Sequence, residues 1–534
     1  MIWKALYVIA ALLTKVWGLP SSTEVDPRQQ QSKYVFAHFM VGIVKPYQLS
    51  DWIADMTAAQ AIGIDAFALN CASIDSYTPT QLALAYQAAK QVNFKVFISF
   101  DFAYWSNGDT EKITAYMREY AAHPAQMQYN GAAIVSTFVG DSFNWGPVKQ
   151  GTSHPIWALP NLQDPAEATS GASRAIDGAF SWYAWPTDGG NSIIPGPMTT
   201  IWDERFVKAL AGRTYMAPVS PWFATHFNSK NWVFICESLP TLRWEQMLQL
   251  HPNLIEIISW NDYGESHYIG PYSANHSDDG SSQWAAGIPH DAWRNLYKPY
   301  IKAYKSGAMA PIIEQDELVY WYRPTPKNVA CTNDPLPQPN GVNMLHDSVF
   351  VATMLTKPAT LTVTSGSNPP VSIEVPAGIV TSNISMGVGV QKFSVARGGQ
   401  SIMSGQGGLE IKDNCRHWNY NVYTGSARTI NISIDPLTEV AGSGLVARNA
   451  GGVLTHDVCA LEEFVLDIRI VVRLATGGIQ TSDVHILKAH VGAWDLIRTV
   501  DRRGDVEPGC ATDVFPFHVF DLQRRGIAAL VGTR

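Results

Sequence analysis

Asp65-Ala66-Phe67-Ala68-Leu69-Asn70-Cys71-Ala72, then the amphipathic stretch 80–92, then Lys95-Val96-Phe97-Ile98-Ser99-Phe100-Asp101-Phe102 read as strand, helix, strand. Both strand segments are nearly continuous apolar runs, the pattern of strands covered on two faces, and a helical crossover is what returns a second strand parallel to the first. Working outward, the same alternation runs from Tyr34 to about Gly307. Strands are expected at 35–44, 65–72, 95–102, 132–141, 156–163, 178–185, 215–223 and 254–260, with helices at 49–62, 80–92, 109–122, 202–211, 242–250 and 292–305. Eight strands with helical returns fit a (β/α)8 TIM-type barrel. A doubly wound sheet would want a Gly-rich phosphate loop after the first strand, and none stands there.

After Pro311 the helical period stops. Short strands at 317–322, 348–355, 359–364, 371–375, 387–395, 401–405 and 419–424 alternate with Gly, Pro, Ser and Asn turns, a smaller β-sandwich domain over 311–435. Residues 436–534 change again, with Arg- and Asp-rich segments such as Asp501-Arg502-Arg503-Gly504-Asp505, and read as an atypical, poorly ordered C-terminal extension or a small third domain. At the other end Lys4, the apolar run Ala5 to Leu13 and Gly18 form a signal peptide pattern over 1–18, followed by a polar mature segment 19–33. The run is far short of the roughly 20 residues that cross a bilayer. The mature protein is therefore expected to be secreted, extracellular or in the cell wall, and free of membrane.

Export makes the sequons at Asn275, Asn383 and Asn431 glycosylation candidates. It also makes Cys331 with Cys415 a reasonable bridge, whereas Cys71 and Cys236, near strand ends, are expected free. The net charge of −8, without a basic run, argues against nucleic acid as a partner. No G-x-S-x-G elbow, H-E-x-x-H helix or C-x-x-C pair occurs, so serine hydrolase and zinc peptidase chemistry lack their central groups, and no cofactor and no metal site is expected, although scattered acids can ligate calcium.

In a barrel the C-terminal strand ends share one mouth. Asp101, Asp141, Asp262 and Glu265 fall at such ends or just beyond. Glycoside hydrolysis needs two carboxyl groups, one to protonate the leaving oxygen and one to activate water or attack carbon. Asp262 and Glu265, in Trp260-Asn261-Asp262-Tyr263-Gly264-Glu265, would point to opposite faces of a continuing strand, so Tyr263 and Gly264 are read as marking a turn that lets both reach one cavity, with Asp101 either completing the set from across the mouth or tuning the pair electrostatically. Asp65, at a strand start, belongs to the stability face. The 18 Trp and 21 Tyr exceed what a core needs, and flat rings stack on sugars, although most of these aromatics are expected in the core; Trp105, Trp145, Trp182, Tyr183, Trp222, Trp260 and Tyr263, with Asn144, Trp185, His226 and His267 nearby, lie around the acids. Trp182-Tyr183-x-Trp185 should set rings on alternate sides of a strand, and His38, inside the first strand, has a sugar hydroxyl or a satisfied core position open to it. Alternatives kept open are a non-catalytic polysaccharide-binding wall protein and a barrel glycosidase of another specificity.

Four segments, Phe36-Ala37-His38-Phe39-Met40-Val41-Gly42, Gly63 to Asn70, Phe97 to Asp101, and Ser259-Trp260-Asn261-Asp262-Tyr263-Gly264-Glu265-Ser266, resemble the fungal α-1,3-glucanases, or mutanases, of glycoside hydrolase family 71. The resemblance implies endo-hydrolysis of an α-1,3-glucan with inversion, by acids matching Asp101, Asp262 and Glu265. It also implies a sandwich beside the barrel, and it does not extend over 436–534. His38, Asn70, Asp141, Asn261 and His267, with the aromatics above, are the expected substrate contacts of a monomeric enzyme.

Overall fold

A computed structural model of the chain describes residues 33–429 and four strands beyond, Glu463–Arg473, Ser482–Gly492, Phe517–Leu522 and Ile527–Gly532. The chain divides into two compact units, 1–429 and 430–534, and in the second those four strands pair as two antiparallel hairpins. The signal peptide expected at 1–18, the segment to residue 32, Asn431 and the remainder of 436–534 lie outside the described residues.

The first unit is mixed α/β. Its parallel strands are β1 (Tyr34–Met40), β2 (Ala66–Cys71), β3 (Lys95–Asp101), β4 (Ala132–Phe138), β5 (Ile156–Leu159, resumed as Asn161–Leu162), β6 (Gly178–Ser181), β7 (Thr214–Val219) and β8 (Leu254–Ile257). They form a curled sheet in which β1 pairs with both β2 and β8, β3 with β2 and β4, and β7 with β6 and β8. Strand β5 is shared: Ile156–Leu159 pairs with β4 and Asn161–Leu162 with β6. Pro160 stands at the handover. It has no N–H to give to the ladder, but its carbonyl accepts Phe180 N at 2.9 Å, so the chain leaves one neighbour and takes up the next there.

Helices α1 (Leu49–Ala61), α2 (Thr78–Gln91), α3 (Thr110–Tyr120), α4 (Gly146–Gly151), α5 (Pro165–Thr169), α6 (Ile201–Leu210), α7 (Leu239–Leu250), α8 (Ser282–Ala285) and α9 (Asp291–Ser306) lie between and after these strands. Helices α4, α5 and α8 escaped the sequence reading because four to six residues carry no helical period. Asp65 sits at the stability face as expected: its carboxylate accepts Val35 N at 2.9 Å and meets Lys305 Nζ at 2.6 Å.

Most strands end three or four residues earlier than expected. β4 stops at Phe138 because Val139 takes φ 53°, a left-handed conformation costly for a β-branched residue, and β6 and β8 stop at Ser181 and Ile257. Asp141, Trp182, Tyr183 and Trp185 therefore lie on loops, and the alternating-face argument for the Trp182-Tyr183-x-Trp185 group does not apply.

Two four-stranded antiparallel sheets follow, built from β9 (Glu317–Tyr322), β10 (Ser348–Leu355), β11 (Ala359–Ser365), β12 (Val371–Val375), β13 (Gly378–Ser385), β14 (Gln391–Arg397), β15 (Gln400–Gln406) and β16 (Tyr423–Arg428). Their orders are β13-β10-β9-β16 and β12-β11-β14-β15. Leu318, Val349 and Val351 of the first and Leu361, Val363 and Phe393 of the second share one buried cluster. The polar edge strand β13 was missed in the sequence, since its exposed face has no apolar alternation to detect. Cys331 and Cys415 are disulfide-bonded across 84 residues, and Cys71 and Cys236 are free and buried, as expected. Among the described residues no helix is long and apolar enough to cross a membrane.

Candidate active site

The chain beyond β8 turns rather than extends. Trp260 N donates to His38 O at 2.7 Å, and the Asn261 side chain clamps Met40, accepting its N–H at 2.7 Å and donating to its carbonyl at 3.2 Å. The turn then closes on itself: Asp262 N donates to Ser259 Oγ, and Glu265 N donates to Asp262 Oδ1, both at 2.9 Å. This second bond is what brings the two carboxylates to one side. In an extended strand they would have faced apart.

His267 ties the pair together. Its Nδ1 lies 2.9 Å from Ser259 Oγ, and its Nε2 lies 3.0 Å from Glu265 Oε2 and 3.7 Å from Asp262 Oδ2. Lys230, at the tip of the antiparallel pair Ala224–His226 and Asn231–Val233, places Nζ 2.9 Å from Glu265 Oε1. Burial alone would raise the Glu265 pKa, but the His267 hydrogen bond and the Lys230 charge outweigh it and bring it down to about 2. For Asp262 the balance is opposite: burial, with the neighbouring Glu265 charge, raises its pKa, and His267 and Lys230 offset only part. One carboxyl of the pair is thus held ionised, and the other is pushed toward keeping a proton. The ligand atoms of Asp262, Glu265 and His267 lie within 4.8 Å of one another, close enough for a cation, but His267 Nε2 and Glu265 Oε2 are already each other's hydrogen-bond partners.

Asp101, the last residue of β3, is 7% exposed; Oδ1 accepts Ala103 N at 2.9 Å. Burial raises its pKa, while the Ala103 bond, His38, Lys230 and the Asn70 side chain oppose the rise. Asn70 at the end of β2 and His38 on β1 are thereby gathered around Asp101, both buried. His38 is oriented from below by Glu256 of β8, whose Oε1 lies 2.7 Å from Nδ1.

Just beyond Asp101 a cleft of about 600 Å³ opens over the loops that follow β3, β4 and β5. Phe102, Trp105, Asn107, Asp141, Gln163 and Glu167 line it, and Asp141 Oδ1 accepts Gln163 N at 2.8 Å. Of the expected aromatic platforms, only Trp182 and Tyr183 keep partly open rings, Tyr183 stacked on Trp202 at 4.0 Å and Trp182 edge-on to His38 at 4.9 Å. Trp145, Trp222, Trp260 and Tyr263 are buried to 2% exposure or less and pack instead: Trp222 Nε1 donates to Tyr420 O, and the Tyr263 hydroxyl donates to Pro271 O. Trp105 gives the cleft little more than an edge, with Nε1 bonded to Cys71 O. Trp185 and His226 are likewise spent on Trp222 O and Asp334, and the Asn144 side chain on Gly146 N.

Lys230 and Glu256 were missed. Lys230 stands in a polar turn that carries no signal, whereas Glu256 in Leu254-Ile255-Glu256-Ile257 was a visible anomaly, one acid in a buried apolar run.

Three carboxyl groups near the C-terminal ends of parallel strands, two of them with opposite protonation tendencies, are the kind of groups that acid–base hydrolysis of a glycosidic bond requires. The chain belongs to glycosyl hydrolase family 71, whose model matches residues 31–435, and it is a glycoside hydrolase. It is 74% identical over 431 residues to a mutanase of Penicillium rubens, covering 80% of this chain and 97% of that one. It is 40% identical over 409 residues to a glucan endo-1,3-alpha-glucosidase of Schizosaccharomyces pombe, covering 74% and 94%. It is 29% identical over 413 residues to the ascus wall endo-1,3-alpha-glucanase of the same yeast, covering 72% and 94%.

Proposed function

We propose that this chain cleaves α-1,3-glucan internally, with inversion, as a secreted monomeric enzyme, and that residues 34–310 form a closed (β/α)8 barrel flanked by a β-sandwich over 311–435. The divided strand β5, which pairs on both sides of Pro160, supports closure. The mutanase and endo-1,3-α-glucosidase relatives support the substrate. The observation that carries the chemistry is the opposed pair Asp262 and Glu265.

Asp262, whose proton is favoured by burial, is the general acid: it protonates the glycosidic oxygen as the bond to the anomeric carbon breaks. Asp101, whose carboxylate burial makes more basic, takes a proton from the water that attacks that carbon from the opposite face. A Glu265 carboxyl with a pKa of about 2 is too weak a base for that task; it stays ionised between Lys230 and His267, and its charge sustains the proton on Asp262. His38, Asn70, Asp141, Trp105, Trp182 and Tyr183 remain the substrate contacts, and Asn275 and Asn383, both exposed, the sites for glycan.

The test is to incubate the purified protein with insoluble α-1,3-glucan and with β-1,3-glucan, following reducing ends and anomeric configuration by NMR. Internal cleavage of the α-linked polymer with an initial β-anomer is expected. Binding without release, or turnover confined to the β-linked polymer, contradicts the assignment. Inversion also requires the acid and base carboxyls to stand roughly 6.5–9.5 Å apart in a substrate complex.

A further inference from the structure

Lys230 reaches the acids from outside the parallel sheet. Its turn is tight, with Phe227 N donating to Lys230 O at 2.7 Å and Lys230 N to Phe227 O at 3.2 Å. A ribbon of three residues a side is marginal alone, and a lysine is a mobile point charge, so the Lys230–Glu265 contact needs an external support.

That support comes from 331–340, a segment more than a hundred residues further along the chain. Asn340 N donates to Asn231 O at 3.1 Å, Val233 N donates to Asn340 O at 2.9 Å, and Asn231 Nδ2 donates to Pro337 O at 2.8 Å. Asp334 is the knot. Its side chain is 2% exposed, and its carboxylate accepts Leu336 N at 3.0 Å and Trp418 N at 2.7 Å and meets His226 Nε2 at 2.9 Å. His226 in turn meets Asn231 Oδ1 through Nδ1 at 2.7 Å. The Cys331–Cys415 disulfide closes this arrangement, each cysteine standing three residues before an Asp334 or Trp418 partner.

We propose that Asp334 is a positioning residue for the hydrolytic site: with the Cys331–Cys415 disulfide it makes 331–340 a strap that holds the 224–233 ribbon and so keeps Lys230 on Glu265. The proposal rests on the hydrolytic reading of Asp262 and Glu265. The carboxyl pair faces Lys230 and His267; Lys230 also faces Asp101 and Tyr104, and Asp101 faces His38. Asp334 itself faces His226 and, at 3.8 Å, His417. Loosening the strap withdraws a positive charge from the acids while leaving every acid in place. Carboxyl pKa values rise when a nearby cation leaves, so the whole rate–pH profile moves to higher pH.

The experiment compares Asp334→Asn, Lys230→Met, the double variant, and Cys331→Ser with Cys415→Ser on α-1,3-glucan. Asp334→Asn should lower kcat severalfold with KM little changed and move the profile upward in the same sense as Lys230→Met, by roughly one pH unit. The double variant should move it no further than Lys230→Met alone. A profile that stays in place while thermal stability falls shows a merely structural Asp334 and overturns the proposal, as does an additional shift in the double variant. Should Asp334→Asn not fold, the paired serine variant carries the same comparison. A crystal structure of the variant that folds, with Lys230 Nζ still about 2.9 Å from Glu265, also overturns it. Absence of wild-type turnover on α-1,3-glucan would instead defeat the substrate reading, and the crystallographic separation would still decide the strap.

Discussion

His38 Nδ1 lies 2.7 Å from Glu256 Oε1, and neither side chain is more than 1% exposed. A charged or polar pair at such depth is worth little as net stability, but losing one member strands the other without a partner. Burial raises the Glu256 pKa, and its bond to His38 restrains the rise. Among the described residues, His38 Nε2 and Glu256 Oε2, both buried, have no hydrogen-bond partner, so the Nδ1–Oε1 contact is the hydrogen bond that each side chain relies on.

Glu256→Leu should therefore destabilise the protein by about 1–3 kcal/mol, since His38 Nδ1 loses its acceptor, whereas Glu256→Gln keeps an acceptor oxygen and should cost about 1 kcal/mol or less. Urea unfolding of both variants checks the order. Equal losses would show that shape, not the hydrogen bond, holds this position.

Asp262→Asn removes the transferable proton while preserving size and the acceptor for Glu265 N. Its kcat should fall by roughly two to four orders of magnitude with glucan binding retained, the range of general acid catalysis. Reducing-end assays beside a pull-down on insoluble glucan separate the two quantities. Loss of binding in step with turnover argues against the role.

The folded Glu265 pKa of about 2 lies below the ordinary value of 4.5. A depressed carboxyl contributes stability that is complete above the unfolded pKa and disappears as pH falls from about 4.5 through 2. The contribution is on the order of 3 kcal/mol. Glu265→Gln should accordingly lose less melting temperature than wild type between pH 5 and about 2.5, a difference scanning calorimetry reads directly. Parallel acid losses in the two proteins would remove the His267 and Lys230 account.

Arg243 is fully buried on α7, bound to Asp203 of α6 through Nη1 and Nη2 at 2.7 Å each, and donates Nε–H to Pro218 O at 2.8 Å. Arg243→Met leaves Asp203 buried with half its partners gone and should destabilise by about 3–5 kcal/mol. Pairing it with Asp203→Leu should recover much of that loss in denaturant titrations. No recovery would mean that α6 and α7 are held by something other than this ion pair.

The α/β alternation up to Gly307, the antiparallel sheets after Pro311, the Cys331–Cys415 bridge and the acids at strand ends were legible because each is a local signal: a period, a turn residue, or an acid after an apolar run. Strand ends were not. Trp182, Tyr183 and Asp141 fall on loops because β6 stops at Ser181 and β4 at Phe138, and no local propensity announces a Val139 with positive φ. Likewise Trp145, Trp222, Trp260 and Tyr263 have the composition of sugar platforms but the packing of a core.

By itself the sequence determined which residues could do acid–base chemistry and, through its motifs, the family to which the chain belongs. Only the tertiary structure decided how those acids differ. Asp262 and Glu265 are three residues apart with the same functional group, and it is Lys230, brought over by a ribbon strapped from residue 334, together with His267, that holds one ionised while burial pushes the other toward its proton. A carboxyl pKa is set by surrounding charge and solvent, and those surroundings are assembled from parts of the chain far apart in sequence.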